Sequence, residues 1–148
     1  MNSYSFKTKF GWITIKSINS KLVSVKFGKK KNIKNNKYLF NISKQIKLFL
    51  LGKIKEIQLN YKLLVTPLQI KICNELSKIK YGHKKSYGEI AKKLGTSPRY
   101  VGKVCGQNNL LLIIPCHRVI KSDGSLGGFS GLGGIKLKNK LLTLESNE

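Results

Sequence analysis

Cysteine, histidine and arginine stand consecutively at Cys116-His117-Arg118, framed by Pro115 and Val119. The chain of 148 residues holds only three cysteines, two histidines and two arginines, so this run gathers its scarcest reactive side chains. A thiol attacks as its thiolate, and nearby cations or a proton-accepting imidazole favour that form. The chemistry would be attack by the Cys116 sulfur on an electrophilic carbon. Taken alone, a Cys-His pair is more often a core cysteine beside a surface histidine. The surrounding sequence reverses that preference.

The apolar run from Leu110 to Ile114 leads into the Cys-His-Arg turn, and a stretch with six glycines between Gly124 and Gly134 follows it. The nucleophile would thus sit between a buried element and a pliable loop. Upstream, Ser86-Tyr87-Gly88-Glu89 is a capping box that opens a short helix through Leu94, with Gly95 as its stop. Ser97-Pro98 starts a second helix, serine as N-cap and proline at the first helical position. Two short helices joined by a tight glycine turn form a helix-turn-helix signature.

The faces of that second helix differ. Val101, Val104, Cys105 and Asn108 recur at three- and four-residue steps and form one face. Arg99, Gly102, Lys103 and Gly106 form the other, which is cationic and nearly without bulk. Each interior glycine costs the helix about 1 kcal/mol relative to alanine. Close approach of the backbone to a phosphate-lined groove explains that cost. Before this pair, Thr66-Pro67 opens a helix with an apolar stripe of Leu68, Ile72, Leu76 and Ile79, predicted to end at Tyr81-Gly82. Cys73 reads as a small buried hydrophobe within it. His83 falls in an exposed basic loop.

The first part of the chain offers no such combination of groups. Residues 4–9, 12–18 and 22–27 pattern as three antiparallel strands, with a bend at Phe10-Gly11 and a hairpin turn at Asn19-Ser20. Gly28 to Lys37 reads as a loop, and its lysine run as a solvated connector. Tyr38 to Leu51 carries Leu39, Ile42, Ile46, Phe49 and Leu50 at helical spacing, with Gly52 as the stop. The expected fold is α+β. A scaffold domain over 1–62, a small three-stranded sheet with a helix, precedes a mainly helical, winged-helix-like domain over 63–148.

The formal net charge is +23, a field that attracts polyanions, nucleic acid first among them. Both arginines, Arg99 and Arg118, lie between Ser86 and Val119, where a flat forked cation has a use that lysine does not meet. An odd number of cysteines without a CxxC pair speaks against a disulfide framework and a cysteine-rich zinc site. It fits a reducing compartment. No apolar run approaches membrane-spanning length, and Met1-Asn2-Ser3-Tyr4 does not begin a signal peptide. The expected location is the cytoplasm, at the nucleoid in a bacterium.

From about Thr66 to Glu145 the sequence resembles the O6-alkylguanine-DNA alkyltransferases. The resemblance is carried by Pro115-Cys116-His117-Arg118-Val119, Ser86-Tyr87-Gly88-Glu89-Ile90-Ala91, Ser97-Pro98-Arg99, Asn108, Gly127-Gly128-Phe129-Ser130-Gly131 and Lys140-Leu141-Leu142 with Glu145. The first 62 residues are similar only in outline, and lack the metal ligands that some members carry there. The resemblance implies a monomer that binds duplex DNA in the minor groove and flips an O6-alkylguanine into a pocket. It then moves the alkyl group irreversibly to its own Cys116, without metal or cofactor.

The same resemblance implies residue roles. Cys116 is the acceptor, His117 takes its proton through a bridging water, and Glu145 orients the imidazole. Tyr87 donates to the departing base, and Asn108 braces the active-site turn. Arg99 fills the vacated stack. Ser97, Gly102, Lys103 and Gly106 lie along the groove. Val119, Phe129, Ser130 and Cys105 line the base pocket, with the carbonyls of Cys116 and Val119 accepting from the guanine amino group. Arg118 takes a structural place near the following loop. Phe129 stands where many relatives have tyrosine, and Cys105 where they often have a bulkier apolar residue.

Three other readings compete. A non-catalytic sensor of alkylated DNA would lack the acceptor cysteine, which is present here. A helix-turn-helix regulator leaves the Cys-His pair unexplained. A thiol hydrolase or oxidoreductase for small molecules leaves the +23 charge and the bare cationic helix without a role.

Overall fold

The computed structural model describes residues 1–33, 37–127 and 134–146. The chain divides into two compact units, Met1–Leu64 and Val65–Glu148.

In the first unit, β1 (Asn2–Thr8), β2 (Gly11–Ile18) and β3 (Lys21–Phe27) form an antiparallel sheet in that order. The hairpin between β2 and β3 turns through Asn19 and Ser20, both at positive φ (51° and 59°), the left-handed pair that matches the twist of adjoining strands. Helix α1 (Lys37–Leu50) packs on β1 and β2. Its Leu39, Ile42, Ile46 and Phe49 are buried, as are Phe6, Ile13 and Ile15 of the sheet. Each such side chain contributes about 1.5–3 kcal/mol through burial. Gly52 lies beyond the end of α1 at φ 75°, a left-handed conformation suited to glycine.

The second unit holds α2 (Pro67–Ser77), β4 (Lys85–Ser86), α3 (Tyr87–Leu94), α4 (Pro98–Gly106), β5 (Val119–Ile120) and α5 (Gly134–Ser146). Thr66 and Ser86 both close full capping boxes, and Ser97 caps α4 by accepting from the Tyr100 amide. Gly95 sits in the left-handed conformation at φ 69° and ends α3. The α3–turn–α4 pair is a helix-turn-helix.

One expected boundary is wrong. Helix α2 ends at Ser77, not at Tyr81-Gly82, and Leu68 of its predicted apolar stripe is exposed. Past Ser77 the chain tightens into three-residue hydrogen bonds, Lys78 amide to Glu75 carbonyl (3.2 Å) and Ile79 amide to Leu76 carbonyl (3.0 Å), and the Ile79 carbonyl accepts a 2.7 Å hydrogen bond from Arg118 Nη1. Among the described residues, no helix is long and apolar enough to cross a membrane.

Candidate functional site

The thiol sits on a tight turn held from several sides. Cys116–Arg118 form one 3-10 turn, entered through Pro115 and leaving directly into β5. β5 pairs in parallel with β4, Lys85 opposite Val119 and Ser86 opposite Ile120. That clip fixes the start of α3, and hence Tyr87, against the end of the cysteine turn. Asn108, just past α4, holds the other side. Its Nδ2 donates to the Ile114 carbonyl (2.9 Å) and the Cys116 sulfur (3.2 Å), while Oδ1 accepts from the Leu110 amide (2.9 Å).

Cys116 is buried, and burial raises its thiol to a pKa of about 11, against the lowering effects of the Asn108 hydrogen bond and the Lys138 charge. The resting sulfur is therefore protonated near neutral pH and needs a base. His117, on the same turn, is 0% exposed. Its Nε2 lies 2.7 Å from Glu145 Oε2. Burial of Glu145 opposes ionisation, but hydrogen bonds from His117 and Arg118 outweigh it and hold the carboxyl at about 2. An ionised carboxylate only accepts, so Nε2 carries the imidazole proton. Burial, aided by the positive charges of Arg118 and Lys138, lowers the His117 pKa despite Glu145. The imidazole is thus neutral, and its Nδ1 lone pair, buried with no hydrogen-bond partner among the described residues, is free to take a proton.

Arg118, expected to take a structural place near the following loop, is paired in the interior with Glu145. Its Nε and Nη2 donate to Glu145 Oε1 and Oε2 at 2.8 Å each. The guanidinium therefore neutralises the carboxylate that orients His117.

Tyr87 is buried, and burial raises its phenol well above the ordinary value, with the Cys105 and Cys116 thiols adding to the effect. Lys138 of α5 donates to its oxygen at 3.1 Å. Lys138 is 0% exposed, and burial lowers its pKa. Sequence reasoning missed this residue. The available signal was its place on the buried stripe of α5 beside Leu137, Leu141 and Glu145. A Cβ on Gly127 would collide with the Tyr87 hydroxyl and ring, so only glycine leaves the phenol in place.

Cys105 is buried at the inner face of α4 with Val101 and Val104, and burial drives its thiol strongly upward. Arg99, Lys103 and Gly106 are exposed on the opposite face, as is the cap Ser97. A Cβ on Gly102 would rest against the Tyr87 ring at 3.9 Å, while one on Gly106 would meet nothing within 4 Å. Among the described residues, nothing accounts for a glycine at 106. Val119 is buried, and its amide donates to the Cys116 carbonyl. A guanine amino group would need that carbonyl's second lone pair. Phe129 and Ser130 lie outside the described residues. Among the described residues, no group of three or more His, Cys, Asp or Glu side chains is placed to hold a metal ion.

A helix-turn-helix with a bare cationic outer face, built against a buried Cys-His-Glu constellation, defines a DNA-binding protein that carries its own nucleophile class. Comparison with known proteins narrows this. The sequence model of the 6-O-methylguanine DNA methyltransferase DNA binding domain matches residues 67–147. A methylated-DNA–protein-cysteine methyltransferase of Metallosphaera sedula is 34% identical over 146 residues, covering 97% of this chain and 92% of the relative. One of Methanocaldococcus vulcanius is 48% identical over 93 residues, covering 63% of this chain and 56% of the relative. The crystal structure of Mycobacterium tuberculosis OGT in complex with DNA superposes with a TM-score of 0.85 at 29% identity, covering 97% of this chain and 92% of that one. The chain belongs to the 6-O-methylguanine DNA methyltransferase family.

Proposed function

We propose that this protein repairs duplex DNA by transferring the alkyl group of an O6-alkylguanine to the sulfur of Cys116, once per molecule. The observation that carries the reading is the buried thiol on the same turn as a neutral imidazole whose Nδ1 is unpaired among the described residues. The names of the methyltransferase relatives support the same reaction.

The helix-turn-helix binds in the minor groove, with Ser97, Lys103 and the small Gly102 and Gly106 along the backbone and Arg99 in the stack. The alkylated guanine turns out of the helix toward Cys116, because an in-line nucleophile cannot reach its alkyl carbon inside the stack. His117 Nδ1 takes the thiol proton through a bridging water. The sulfur forms a bond to the alkyl carbon as the carbon–O6 bond breaks, and the electron pair leaves with guanine. Glu145 fixes the imidazole and stabilises the imidazolium.

The departing base is a poor anion. Tyr87 donates to it, and the Lys138 hydrogen bond to the phenol oxygen leaves the Tyr87 proton free for that purpose. Val119 and Cys105 bound the pocket, to which the family resemblance also assigns Phe129 and Ser130. The thioether product is stable to water, so each molecule acts once and no cofactor enters. Residues 63–148 carry the helix-turn-helix and the chemistry. The three free cysteines fit a reducing, cytoplasmic setting.

The test is Cys116→Ala. The variant should lose alkyl transfer from a duplex carrying O6-methylguanine while keeping its affinity for that duplex. Transfer that persists would refute the assignment.

A further inference from the structure

The first unit takes no part in the chemistry, yet it carries most of the charge. Of its 64 residues, fifteen are lysine and only Glu56 is acidic, a net +14 out of the chain's +23. The second unit keeps five acids among its 84 residues. Lysine enrichment alone adds cations; it does not remove the carboxylates that would offset them.

These lysines are also sorted by the sheet. Successive strand residues point to opposite faces, and directly opposed residues share one. Phe6, Ile13 and Ile15 face α1. The other face is read from the register: Lys7 opposes Trp12, Ser5 opposes Thr14, and Thr14 opposes Lys26, with Lys16 opposite Ser3. Lys7, Lys16 and Lys26 therefore project from the face that α1 leaves uncovered.

The segment after β3, expected to be a solvated connector, is pinned across that same face. Thr14 Oγ1 donates to the Gly28 carbonyl at 2.7 Å, and Ser5 Oγ donates to the Lys30 carbonyl at 2.7 Å while accepting from the Lys30 amide at 3.0 Å. Ser3 exchanges backbone hydrogen bonds with Ile33 at 2.7 and 3.2 Å, and Asn32 accepts from the Ser5 amide at 2.8 Å. Ser3, Ser5 and Thr14 are buried. Their hydroxyls are spent on holding the backbone of Lys29, Lys30 and Lys31 against the sheet. The Lys29 ammonium further rests 4.5 Å over the Trp12 ring. A passive linker has no need of a buried polar ladder beneath it.

We infer that this lysine face of the N-terminal sheet, formed by Lys7, Lys16, Lys26 and the pinned run Lys29–Lys31, is a second contact surface for the phosphate backbone of DNA, separate from the helix-turn-helix. It binds without reading sequence. Point cations on a held backbone suit phosphates and carry no base code. Its function is to retain the protein on undamaged duplex.

The experiment compares two triple variants of the full chain on undamaged duplex DNA over a range of salt. K7Q/K26Q/K30Q neutralises the sheet face, and K37Q/K44Q/K53Q removes the same charge from α1 and its end. Each lost phosphate contact lowers the slope of log affinity against log salt by about 0.9. The sheet-face variant should lose about 2 to 3 from that slope, and the α1 variant should match the parent. Equal losses in both would mean diffuse charge, and no loss in the sheet-face variant would mean no contact; either overturns the inference. Acetylation mapping of the unaltered protein gives an independent reading. Duplex DNA should protect Lys7, Lys26 and Lys30, and protection by RNA alone, or none, would overturn it. Reaction of both variants with free O6-benzylguanine should equal the parent's, which separates this surface from the alkyl-transfer reading.

Discussion

Arg118 grips Glu145 through two hydrogen bonds of 2.8 Å in the protein interior, on the same carboxylate that holds His117 at 2.7 Å. One carboxylate thus holds both side chains; burial keeps His117 neutral, and the permanent Arg118 cation adds to that effect. Removing one partner of a buried pair strands a charge, at a cost of about 3–5 kcal/mol. Arg118→Met is expected to lower the unfolding free energy by about that amount. The double change Arg118→Met with Glu145→Gln is expected to restore much of it, because no lone charge remains. Denaturant unfolding of the parent, Arg118→Met, Glu145→Gln and the double variant measures the difference. Additive losses would contradict the pairing.

Acid stability follows from the same contact. The Glu145 carboxyl is held at about 2 in the folded protein and returns toward the ordinary glutamate value of about 4.3 on unfolding. A depressed folded pKa gives stability that is fully present above the unfolded value and is lost as pH falls through that window to the folded one. Thermal unfolding scans between about pH 5 and pH 2 should show this loss in the parent. Glu145→Gln should remove this contribution to the slope.

Proton transfer to His117 predicts a particular pH profile. A thiol at about 11 is ionised to only about one part in a thousand at pH 8, so direct ionisation would make the rate climb tenfold per pH unit. With His117 as base, the rate of transfer should be level through neutral and mildly alkaline pH. It should fall only on the acid side, where the imidazole protonates, below the ordinary histidine value because burial lowers it. His117→Gln should replace this plateau with a continuous rise. A rising profile in the parent would show that His117 is not the base.

The Tyr87–Lys138 contact gives a kinetic prediction. Tyr87→Phe should slow transfer from duplex by roughly 10²-fold or more, as loss of a positioned proton donor does, with little change in duplex affinity. Lys138→Met keeps the volume and removes a buried cation, so it should leave stability close to the parent while slowing transfer. Single-turnover kinetics beside equilibrium binding separates these effects. A loss confined to affinity would make the phenol a binding group.

Arg99 is exposed on the outer face of α4, clear of the buried site. Arg99→Ala should slow repair of duplex substrate at least tenfold more than reaction with free O6-benzylguanine, about 1.4 kcal/mol of selective loss. Equal slowing would place Arg99 in the chemistry and not in the opening of the duplex.

Local signals were legible in the sequence. Capping residues Thr66, Ser86 and Ser97 and the glycines at 52 and 95 report backbone conformations settled within a few residues, and the structure puts helix ends there. The strands showed through their alternation. Long-range contacts were not legible. Arg118 meets the Ile79 carbonyl, just past the end of α2, from 39 residues away. The partner of Arg118 lies 27 residues further on. Lys138 was hidden because one lysine among so many carries no compositional signal, although its place on the apolar stripe of α5 separates it from Lys136 and Lys140. The lysine run after β3 was read from polarity alone, which cannot show that buried serines hold its backbone.

The central claim is a covalent change in the protein itself. The protein should be mixed with a duplex carrying a single O6-methylguanine and its intact mass measured. Alkyl transfer predicts a gain of one methylene unit, mapped by peptide digestion to Cys116 and never exceeding one per molecule. An unchanged mass with tight, lesion-selective binding would contradict the account and leave a sensor of alkylated DNA in its place.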